Sequence, residues 1–181
     1  MPRVLPIDPA KADSDTQATL DGVKKKIGMV PNLYATFAHS PAVLKAFLGL
    51  SETLAGGRLT PAQREIVALS VGQANSCQYC LSAHTMVGKS VGLSEEQIVD
   101  ARQGTNEAPL EHAVAEVANR IVTQKGWLTD EDVAAARSAG IDDELLLEVI
   151  ANVSLNLLTN YTNHIVQTDI DFPTVSTSLD N

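Results

Sequence analysis

Apolar side chains recur along this chain at intervals of three and four residues, the spacing that places them on one face of an α-helix. The longest such run lies near the C-terminus, and its members are Leu145, Leu146, Val149, Ile150, Val153, Leu157, Leu158, Tyr161 and Ile165. No stretch shows the strict alternation of apolar and polar residues that is typical of a half-buried strand. The pattern therefore predicts an all-α protein.

Capping residues indicate where these helices begin. The clearest start has Thr60 as N-cap, Pro61 at the first helical position and Gln63 at the third, which together make a capping box. Further starts are expected after Asp13 or Ser14 and at Pro31, Ser40-Pro41, Ser76, Ser94, Pro109, Thr129 and Asp142-Asp143. We expect Ser76 to cap the helix that contains both cysteines, and the last helix to continue to Phe172-Pro173.

The capping residues and prolines divide the chain into one helical domain and two short flanking segments. Residues 1–12 contain three prolines, which disfavour a helix, so they are expected to form an extended arm. Residues 13–173 are predicted to be the helical domain, and residues 174–181 a polar tail. The full length of 181 residues suits a single domain of this kind.

Charge and composition exclude several classes of partner. The 13 basic and 22 acidic side chains give a net charge of -9, which argues against non-specific binding to nucleic acid or anionic lipid. The beginning of the chain lacks the apolar run of a secretory signal, and no stretch reaches the roughly 18 apolar residues of a membrane span. We therefore expect a cytoplasmic protein with no nucleic-acid or membrane partner. With three Phe, three Tyr and one Trp, its core must consist mainly of Ala, Leu, Val and Ile.

Both cysteines lie in one short segment together with a histidine. Cys77, Cys80 and His84 are three and four residues apart, so a helix that turns about 100° per residue places them on one face. Glu65 lies on the preceding helix, and the short Asn75-Ser76 turn would bring it beside His84 if the two helices pack antiparallel. In the cytoplasm such a cysteine pair is more often catalytic or metal-binding than structural.

The position of each group on its helix suggests a redox cycle. A helix N-terminus favours a thiolate, and His84 is one turn beyond Cys80, where it can take a thiol proton near neutral pH. Cys80 is therefore the better candidate for the thiolate that attacks a peroxide and becomes a sulfenic acid. Cys77, expected at the exposed end of the helix, would condense with it to a disulfide that an external dithiol reduces. Glu65 would orient the imidazole or relay its proton.

Other interpretations of these residues remain open. A structural zinc site normally needs four ligands, whereas this segment offers one cysteine pair, one histidine and one glutamate, so we expect no metal. The redox cycle needs no other cofactor either, because the two electrons that reduce the peroxide come from the two thiols, which become a disulfide. As a second hypothesis, the cysteine pair could serve disulfide exchange or redox sensing without peroxide turnover. Glu65 and His84 could instead act as acid and base in non-redox lactone or keto-acid chemistry.

The segment around the two cysteines resembles a known family. The segment TPAQREIVALSVGQANSCQYCLSAH, which carries Glu65, Cys77, Cys80 and His84, is similar to the core motif of the AhpD-like alkylhydroperoxidases in the carboxymuconolactone decarboxylase superfamily. The flanking GMVPNLYATFAHSPAVLKAF and NYTNHIVQTDIDFP resemble the single-domain, peroxidase-related subgroup. The similarity extends from about Val23 to Pro173.

The resemblance implies both a fold and an activity. The fold would be an AhpD-like helical bundle that assembles into homo-oligomers, trimers or hexamers. The activity would be reduction of hydrogen peroxide or organic hydroperoxides, with Cys80 as peroxidatic cysteine, Cys77 as resolving cysteine, and Glu65 and His84 in the proton relay. The reductant would be an external dithiol on a dihydrolipoyl or thioredoxin-like protein.

One position departs from the motif of the family. The alkylhydroperoxidases have a histidine just before the second cysteine, where this chain has Tyr79. A phenol that titrates near pH 10 cannot shuttle protons at pH 7 as imidazole does, so the relay would be shorter, or Tyr79 would simply line the pocket. The decarboxylase branch of the superfamily lacks the cysteine pair, which favours redox chemistry over lactone decarboxylation here.

The last helix raises two further expectations. His164, together with Asn160, Asn163, Thr168 and Asp171, could form a polar part of the active-site wall, including across a subunit contact. Such side chains more often satisfy nearby backbone groups. The apolar stripe from Leu145 to Ile165 exceeds what one small domain needs to cover, so we expect a subunit interface there, with the N-terminal arm along a neighbour. Trp127 is expected to pack against a helix end.

Overall fold

The computed structural model describes residues 1–105 and 108–179. Over these residues the chain forms nine α-helices and one 3-10 turn, Pro9–Lys11, with no β-strand. The helices are α1 (Ser14–Ile27), α2 (Asn32–Phe37), α3 (Pro41–Ala55), α4 (Pro61–Ala74), α5 (Gln78–Ser90), α6 (Glu95–Gln103), α7 (Pro109–Thr123), α8 (Asp130–Ser138) and α9 (Asp143–Val166). The predicted all-α fold is confirmed.

Most predicted helix starts are confirmed, together with their capping groups. Thr60, Ser94 and Thr129 each form a complete capping box with the residue three positions on. Asp13 caps α1, and the Asp142 carboxylate caps α9 by accepting the backbone N–H of Leu145 at 2.9 Å. The local sequence thus determines where these helices begin.

Two helix boundaries differ from those expected. Cys77, and not Ser76, is the N-cap of α5, because Ser76 adopts a left-handed conformation with φ of 54° and cannot occupy the capping position. Helix α9 ends at Val166, well before Phe172-Pro173. Gln167 is left-handed there, with φ of 56°, and its N–H donates to the Asn163 carbonyl at 2.8 Å, which closes the helix.

The helices enclose two buried clusters of different composition. The larger, the aliphatic cluster, joins α4, α7 and α9, and its buried residues are all Ala, Val, Leu or Ile. The smaller, the aromatic cluster, lies where α1, α2 and α3 meet the start of α5. It contains Phe37, Phe47, Tyr79 and both cysteines, with Tyr34 and Phe172 packed against it among other residues. The expected aliphatic core is therefore present, and the few aromatic side chains surround the cysteines.

The N-terminal arm packs on its own chain. The Arg3 N–H donates to the Val166 carbonyl at 2.6 Å, at the end of α9, and the Ile7 N–H donates to the Ala35 carbonyl of α2 at 3.1 Å. Backbone hydrogen bonds to two helices hold residues 3–7 against the domain. Contact between the arm and a neighbouring subunit remains a prediction.

The C-terminal tail, residues 174–181, is described as far as residue 179 and is also attached. The Val175 N–H donates to the Ser82 hydroxyl of α5 at 3.0 Å. The Arg102 guanidinium donates to the Ser176 carbonyl at 2.8 Å, and the Gln73 amide to the Thr177 carbonyl at 2.9 Å. The polar tail therefore crosses α4, α5 and α6.

Trp127 does not pack as expected. It follows Lys125 and Gly126, which are both left-handed, with φ of 56° and 83°. These two residues turn the chain away from the end of α7, and the indole remains 85% exposed. Among the described helices, none is both long and apolar enough to cross a membrane.

Candidate active site

A tight helical hairpin brings the predicted acid and base together. Helices α4 and α5 pack across the turn at residues 75–77, where the Cys77 N–H donates to the Gly72 carbonyl at 2.8 Å. The two helices are close at this point, since a Cβ on Gly72 would be in van der Waals contact with Leu81 at 3.4 Å and with Cys80 at 3.7 Å. One consequence is a hydrogen bond of 2.7 Å from His84 Nδ1 to the Glu65 carboxylate. The antiparallel packing expected for this pair is therefore present.

The two cysteines are free and buried, but only one faces open space. Cys77 is 0% exposed and Cys80 is 3% exposed. Cys77 therefore does not lie at an exposed helix end as expected, because the N-cap position is covered by the α4–α5 hairpin. Cys80 lines a large cavity together with Glu65 and His84, whereas Cys77 does not contact it. A substrate in the cavity can therefore reach the sulfur of Cys80.

The cavity has a volume of about 980 Å³ and is lined by parts of α1, α2, α3, α4, α5 and α9. Much of its wall is apolar or aromatic, with side chains that include Val23, Leu33, Tyr34, Phe47 and Phe172. A space of this size accepts an organic molecule of some bulk, far larger than hydrogen peroxide. The contribution of α1 to this wall was not foreseen from the sequence, because nothing in the helical pattern shows which surfaces remain apart.

Two side chains from α9 donate hydrogen bonds to the Cys80 sulfur. The Asn160 amide lies 3.0 Å from Sγ and the Asn163 amide 3.3 Å from it. Asn160 is fully buried and Asn163 is 5% exposed. Asn160, a sequence candidate, therefore contacts the reactive group directly. The same holds for Asn163, so neither amide bonds to its own helix backbone, which was the alternative expected for this group of residues.

His164 lies away from the site within this chain. It is on the exposed side of α9, where its ring centroid is 6.5 Å from that of Tyr161, and it does not line the cavity. The helix turns by about 100° between Asn163 and His164, so only the first of them faces Cys80. A role for His164 across a subunit contact remains a prediction.

Tyr79 lines the cavity with its ring, but its hydroxyl is directed elsewhere. The hydroxyl oxygen accepts the backbone N–H of Leu33 at 3.2 Å, and the Asp171 carboxylate lies beside it. Burial and the charge of Asp171 raise the pKa of Tyr79 well above its usual value. The hydroxyl therefore stays protonated at neutral pH.

The protonation of the site is set by strong mutual interactions. Burial alone would lower the pKa of His84, but the charge and hydrogen bond of Glu65, with a contribution from Cys77, raise it above its ordinary value. Burial and the charge of Glu65 raise the pKa of Tyr34 to about 12, so this cavity residue remains a neutral donor. The hydrogen bond to Glu65 consequently favours the imidazolium form of His84.

The two thiols titrate as a coupled pair. The hydrogen bond from Cys80 lowers the pKa of Cys77, and the nearby His84 acts in the same direction. The same hydrogen bond, together with burial, raises the pKa of Cys80. The first negative charge of the pair is therefore favoured on Cys77, while Cys80 holds a proton that it can pass along the bond between the two sulfurs.

Groups that could bind a metal are not assembled here. Within residues 1–105 and 108–179, no three His, Cys, Asp or Glu side chains lie close enough to hold a metal ion together. The chemistry available from these residues is that of two hydrogen-bonded thiols, an ion pair able to give or take a proton, and a large cavity.

Residues 41–120 match the carboxymuconolactone decarboxylase family. The crystal structure of a peroxidase-related protein with an AhpD core from Ralstonia eutropha is similar, with a TM-score of 0.84, 23% identity and coverage of 94% of this chain and 92% of that one. A peroxidase-related protein from a Silicibacter species has a TM-score of 0.81 at 22% identity, covering 93% of this chain and 91% of the other.

A third similar structure is that of the debrominase Bmp8 in complex with 2,3,4-tribromopyrrole. Its TM-score is 0.79 at 19% identity, and the match covers 93% of this chain and 91% of that one. No curated protein sequence matches the chain significantly. The chain therefore has the fold of the AhpD-like, peroxidase-related structures, as the sequence motif had indicated, and its residues 41–120 are similar to the carboxymuconolactone decarboxylase family.

Proposed function

We propose that this protein is a thiol-dependent peroxidase that reduces organic hydroperoxides through Cys80 and Cys77. The observation that carries the proposal is the placement of the Cys80 sulfur. It borders a cavity of about 980 Å³, it is hydrogen-bonded to a second thiol, and it lies on the same cavity wall as the Glu65–His84 ion pair. A cytoplasmic location, suggested by the sequence, remains a prediction.

The cycle begins when Cys80 passes its proton to the Cys77 thiolate and the resulting Cys80 thiolate attacks the terminal oxygen of the peroxide. A sulfur–oxygen bond forms, the oxygen–oxygen bond breaks, and the alkoxide leaves with a proton from the His84 imidazolium. The product at Cys80 is a sulfenic acid. The Cys77 sulfur then attacks it, a disulfide forms, and the hydroxyl leaves as water after gaining a proton. The peroxide has gained two electrons and the two sulfurs have lost two.

The size and lining of the cavity support an organic hydroperoxide as the substrate. Hydrogen peroxide would fill only a small part of about 980 Å³ and would contact little of the apolar wall. An alkyl or aryl hydroperoxide can bury its organic part against Leu33, Phe47 and Phe172 and still present its peroxide group to Cys80. We therefore expect a lower KM for cumene hydroperoxide than for hydrogen peroxide.

The burial of both sulfurs bears on the reductant. With Cys77 and Cys80 at 0% and 3% exposure, a donor must enter through the cavity or wait for the hairpin to open. A dihydrolipoyl group on a flexible arm is slender enough to enter, whereas a thioredoxin-like surface is broad. Of the two expected reductants we therefore favour the dihydrolipoyl group, and faster reduction by thioredoxin than by dihydrolipoamide would contradict this choice.

The proposed activity is tested by counting thiols and by measuring turnover. One equivalent of cumene hydroperoxide should remove both thiols of the reduced protein and form the Cys77–Cys80 disulfide. Steady-state peroxide loss in the presence of dihydrolipoamide separates an enzyme from a redox sensor, which would oxidise once and stop. Unchanged thiols after peroxide addition would overturn the proposal.

A second candidate, favoured by the aromatic lining of the cavity, is reductive dehalogenation of a haloaromatic compound. The Cys80 thiolate would attack the halogen, His84 would protonate the ring carbon that is released, and Cys77 would displace halide to form the same disulfide. Bromide release from 2,3,4-tribromopyrrole with dihydrolipoamide present tests this candidate. A rate no greater than that of the Cys80→Ser variant would exclude it.

We also propose that a second copy of this chain covers the outer face of α9. This face exposes Leu147, Ile150, Leu158, Tyr161 and Ile165 at 41–67% each. The arm, whose Leu5 is 67% exposed, bonds to the backbone of Ile165 and extends the apolar area. No Asp, Glu, Lys or Arg occurs between residues 149 and 168, so the helix itself brings no like charges together when two copies pair. At the edge of the face, the Arg3 guanidinium donates to the Ile165 carbonyl.

Sedimentation measurements test this interface. An Ile165→Asp variant should dissociate the oligomer, because it buries a carboxylate in an apolar contact. Val99→Asp is the matched control, since Val99 is 39% exposed on α6 and lies outside the apolar face. A monomeric protein at micromolar concentration, or equal behaviour of the two variants, would contradict the proposal. The number of subunits, trimer or hexamer, remains a prediction.

A further inference from the structure

Four buried asparagines follow one another along the inner face of α9, at positions 152, 156, 160 and 163. The first two satisfy their amides locally: Asn152 donates to the Glu148 carbonyl at 2.8 Å, and Asn156 donates to the Asn152 carbonyl at 2.9 Å. The last two do not donate to their own helix. Asn160 and Asn163 both direct their amide nitrogens at the Cys80 sulfur.

A second hydrogen bond fixes the orientation of the Asn160 side chain. Its carbonyl oxygen accepts a hydrogen bond of 3.0 Å from the Asn75 side chain, at the end of α4. The donor end of Asn160 must therefore face Sγ. Neither Asn160 nor Asn163 lines the cavity, so the side of the sulfur that a substrate would approach remains open.

Asn163 has a further property that points to a reacting group. Its Oδ1 atom is buried and, among the described residues, accepts no hydrogen bond. A buried acceptor without a partner is costly in a resting protein. A sulfenic acid formed at Cys80 would add a hydroxyl donor beside this acceptor, so the intermediate of the proposed cycle supplies what the resting site lacks.

The two amide donors counteract the interactions that disfavour a thiolate at Cys80. A thiolate in a buried place is unfavourable unless donors surround it, and two amide N–H groups on one sulfur provide such donors. The interaction between the two thiols favours the first charge on Cys77, which also receives a hydrogen bond from Asn163 but which no substrate in the cavity can reach. The amide donors at Cys80 oppose that preference and make a thiolate at the accessible sulfur less unfavourable.

We infer that Asn160 and Asn163 form an amide cradle that holds negative charge on the Cys80 sulfur and so makes Cys80, rather than Cys77, the attacking cysteine. The inference rests on the proposed function for its role in turnover, but the cradle itself is a property of the reduced protein. It assigns a direct part in the chemistry to two residues that belong to neither the cysteine motif nor the Glu65–His84 pair.

The test measures the reactivity of Cys80 without any peroxide. In a Cys77→Ser background, the rate of alkylation by iodoacetamide is followed against pH by mass spectrometry. Asn160→Leu and Asn163→Leu should each lower the rate at neutral pH roughly 10-fold or more, with the pH midpoint moved upward, since a hydrogen bond to a charged group is lost. Asn160→Asp keeps the size of the side chain and should move the midpoint upward as well, because a carboxylate disfavours the thiolate.

Asn156→Leu is the matched control, because it removes a buried amide of the same helix face that donates to the Asn152 carbonyl and not to Cys80. Asn156 also lines the cavity, so the comparison uses the pH midpoint and not the absolute rate. Its pH midpoint should equal that of the background, and helical circular dichroism confirms that each variant is folded. Unmoved midpoints in folded Asn160→Asp and Asn163→Leu, or an equal shift in Asn156→Leu, would overturn the cradle. If the midpoints move as expected but the parent protein consumes no peroxide, the cradle stands and the proposed peroxidase activity falls.

Discussion

The aliphatic and aromatic clusters differ in what they contain and in what they enclose. The aliphatic cluster is filled by branched and small side chains from α4, α7 and α9. The aromatic cluster borders a cavity of about 980 Å³ and includes both thiols. Five of the seven aromatic residues belong to it or pack against it: Tyr34, Phe37, Phe47, Tyr79 and Phe172. The large aromatic rings hold this space open, whereas flexible aliphatic side chains would fill it.

This difference suggests a division between stability and chemistry. Close packing in the aliphatic cluster means that any lost methyl group leaves a void, so stability is sensitive there. The aromatic cluster already contains a space, and its polar groups are arranged around a reactive sulfur. Substitutions in the two places should therefore affect different measurements, and the four predictions below follow from that expectation.

The largest effect should come from the reactive sulfur itself. Cys80→Ser is expected to abolish peroxide turnover, by a factor of at least about 10³, because a serine hydroxyl is not ionised near neutral pH. Its thermal midpoint should remain close to that of the parent. Cys77→Ser is the matched variant and should stop after one turnover with a sulfenic acid at Cys80, detected by dimedone labelling. Full turnover in Cys80→Ser would make the assignment wrong.

In the aliphatic cluster, Leu145→Ala should lower the free energy of unfolding by about 2–5 kcal/mol, because Leu145 is 4% exposed and its loss leaves a cavity. The kcat of the folded protein should be unchanged. Leu48→Ala is the matched control, since Leu48 lines the existing cavity and is only partly buried. It should cost less stability and change the KM for a bulky hydroperoxide. Urea unfolding followed by circular dichroism measures the loss of stability in both variants. A larger loss in Leu48→Ala than in Leu145→Ala would contradict the proposed division between the two clusters.

Glu65→Gln should alter the pH dependence of turnover. The pKa of His84 is raised in the folded protein, so the imidazolium and its ion pair are present below the ordinary value near 6.5 and are lost as pH rises through the raised pKa. The stability gained from the pair follows the same course. Without the carboxylate the pKa of His84 should fall, and the alkaline loss of kcat/KM should begin at lower pH.

An NMR titration of the His84 ring, together with the pH profile of turnover, measures this change. We expect roughly 10-fold slower turnover at pH 7 in Glu65→Gln, at the lower end of typical effects of acid–base groups. Glu52→Gln is a suitable control, because Glu52 also lines the cavity but is not bonded to His84. Identical profiles for the two variants would show that Glu65 has no part in the relay.

The smallest effect is expected for Tyr79→Phe. Its hydroxyl accepts the Leu33 N–H at 3.2 Å and takes no part in the proposed proton transfers. Turnover should therefore change by no more than about 2-fold, while stability falls by about 1 kcal/mol for the lost hydrogen bond. A large loss of turnover with normal stability would mean that the phenol does belong to the relay.

The sequence predicted local features of the fold far better than contacts between distant segments. Caps such as Thr60 and Asp142 act within one turn of helix, and they were placed correctly. The Glu65–His84 contact could also be predicted, because only a short turn separates the two helices. The predicted N-cap of α5 and the predicted end of α9 were wrong. Both boundaries depend on a residue with a left-handed backbone conformation, which the side chains do not indicate.

What escaped prediction depends on tertiary packing. The amides of Asn160 and Asn163 reach a sulfur some 80 residues earlier in the chain. The spacing of the four asparagines on one helix face was the available signal, but it cannot distinguish an amide bonded to its own helix from one bonded elsewhere. The cavity, and the attachment of the arm to its own chain, likewise follow from how the helices pack together.

Trp127, the one tryptophan of the chain, has a consequence for spectroscopy. With 85% of its surface exposed, the indole is surrounded by water in the folded protein nearly as it would be in the unfolded chain. The wavelength of its emission should therefore change little when the aliphatic cluster unfolds. Collisional quenchers should nevertheless reach it readily in the native state, so its fluorescence would report what approaches the α7–α8 turn.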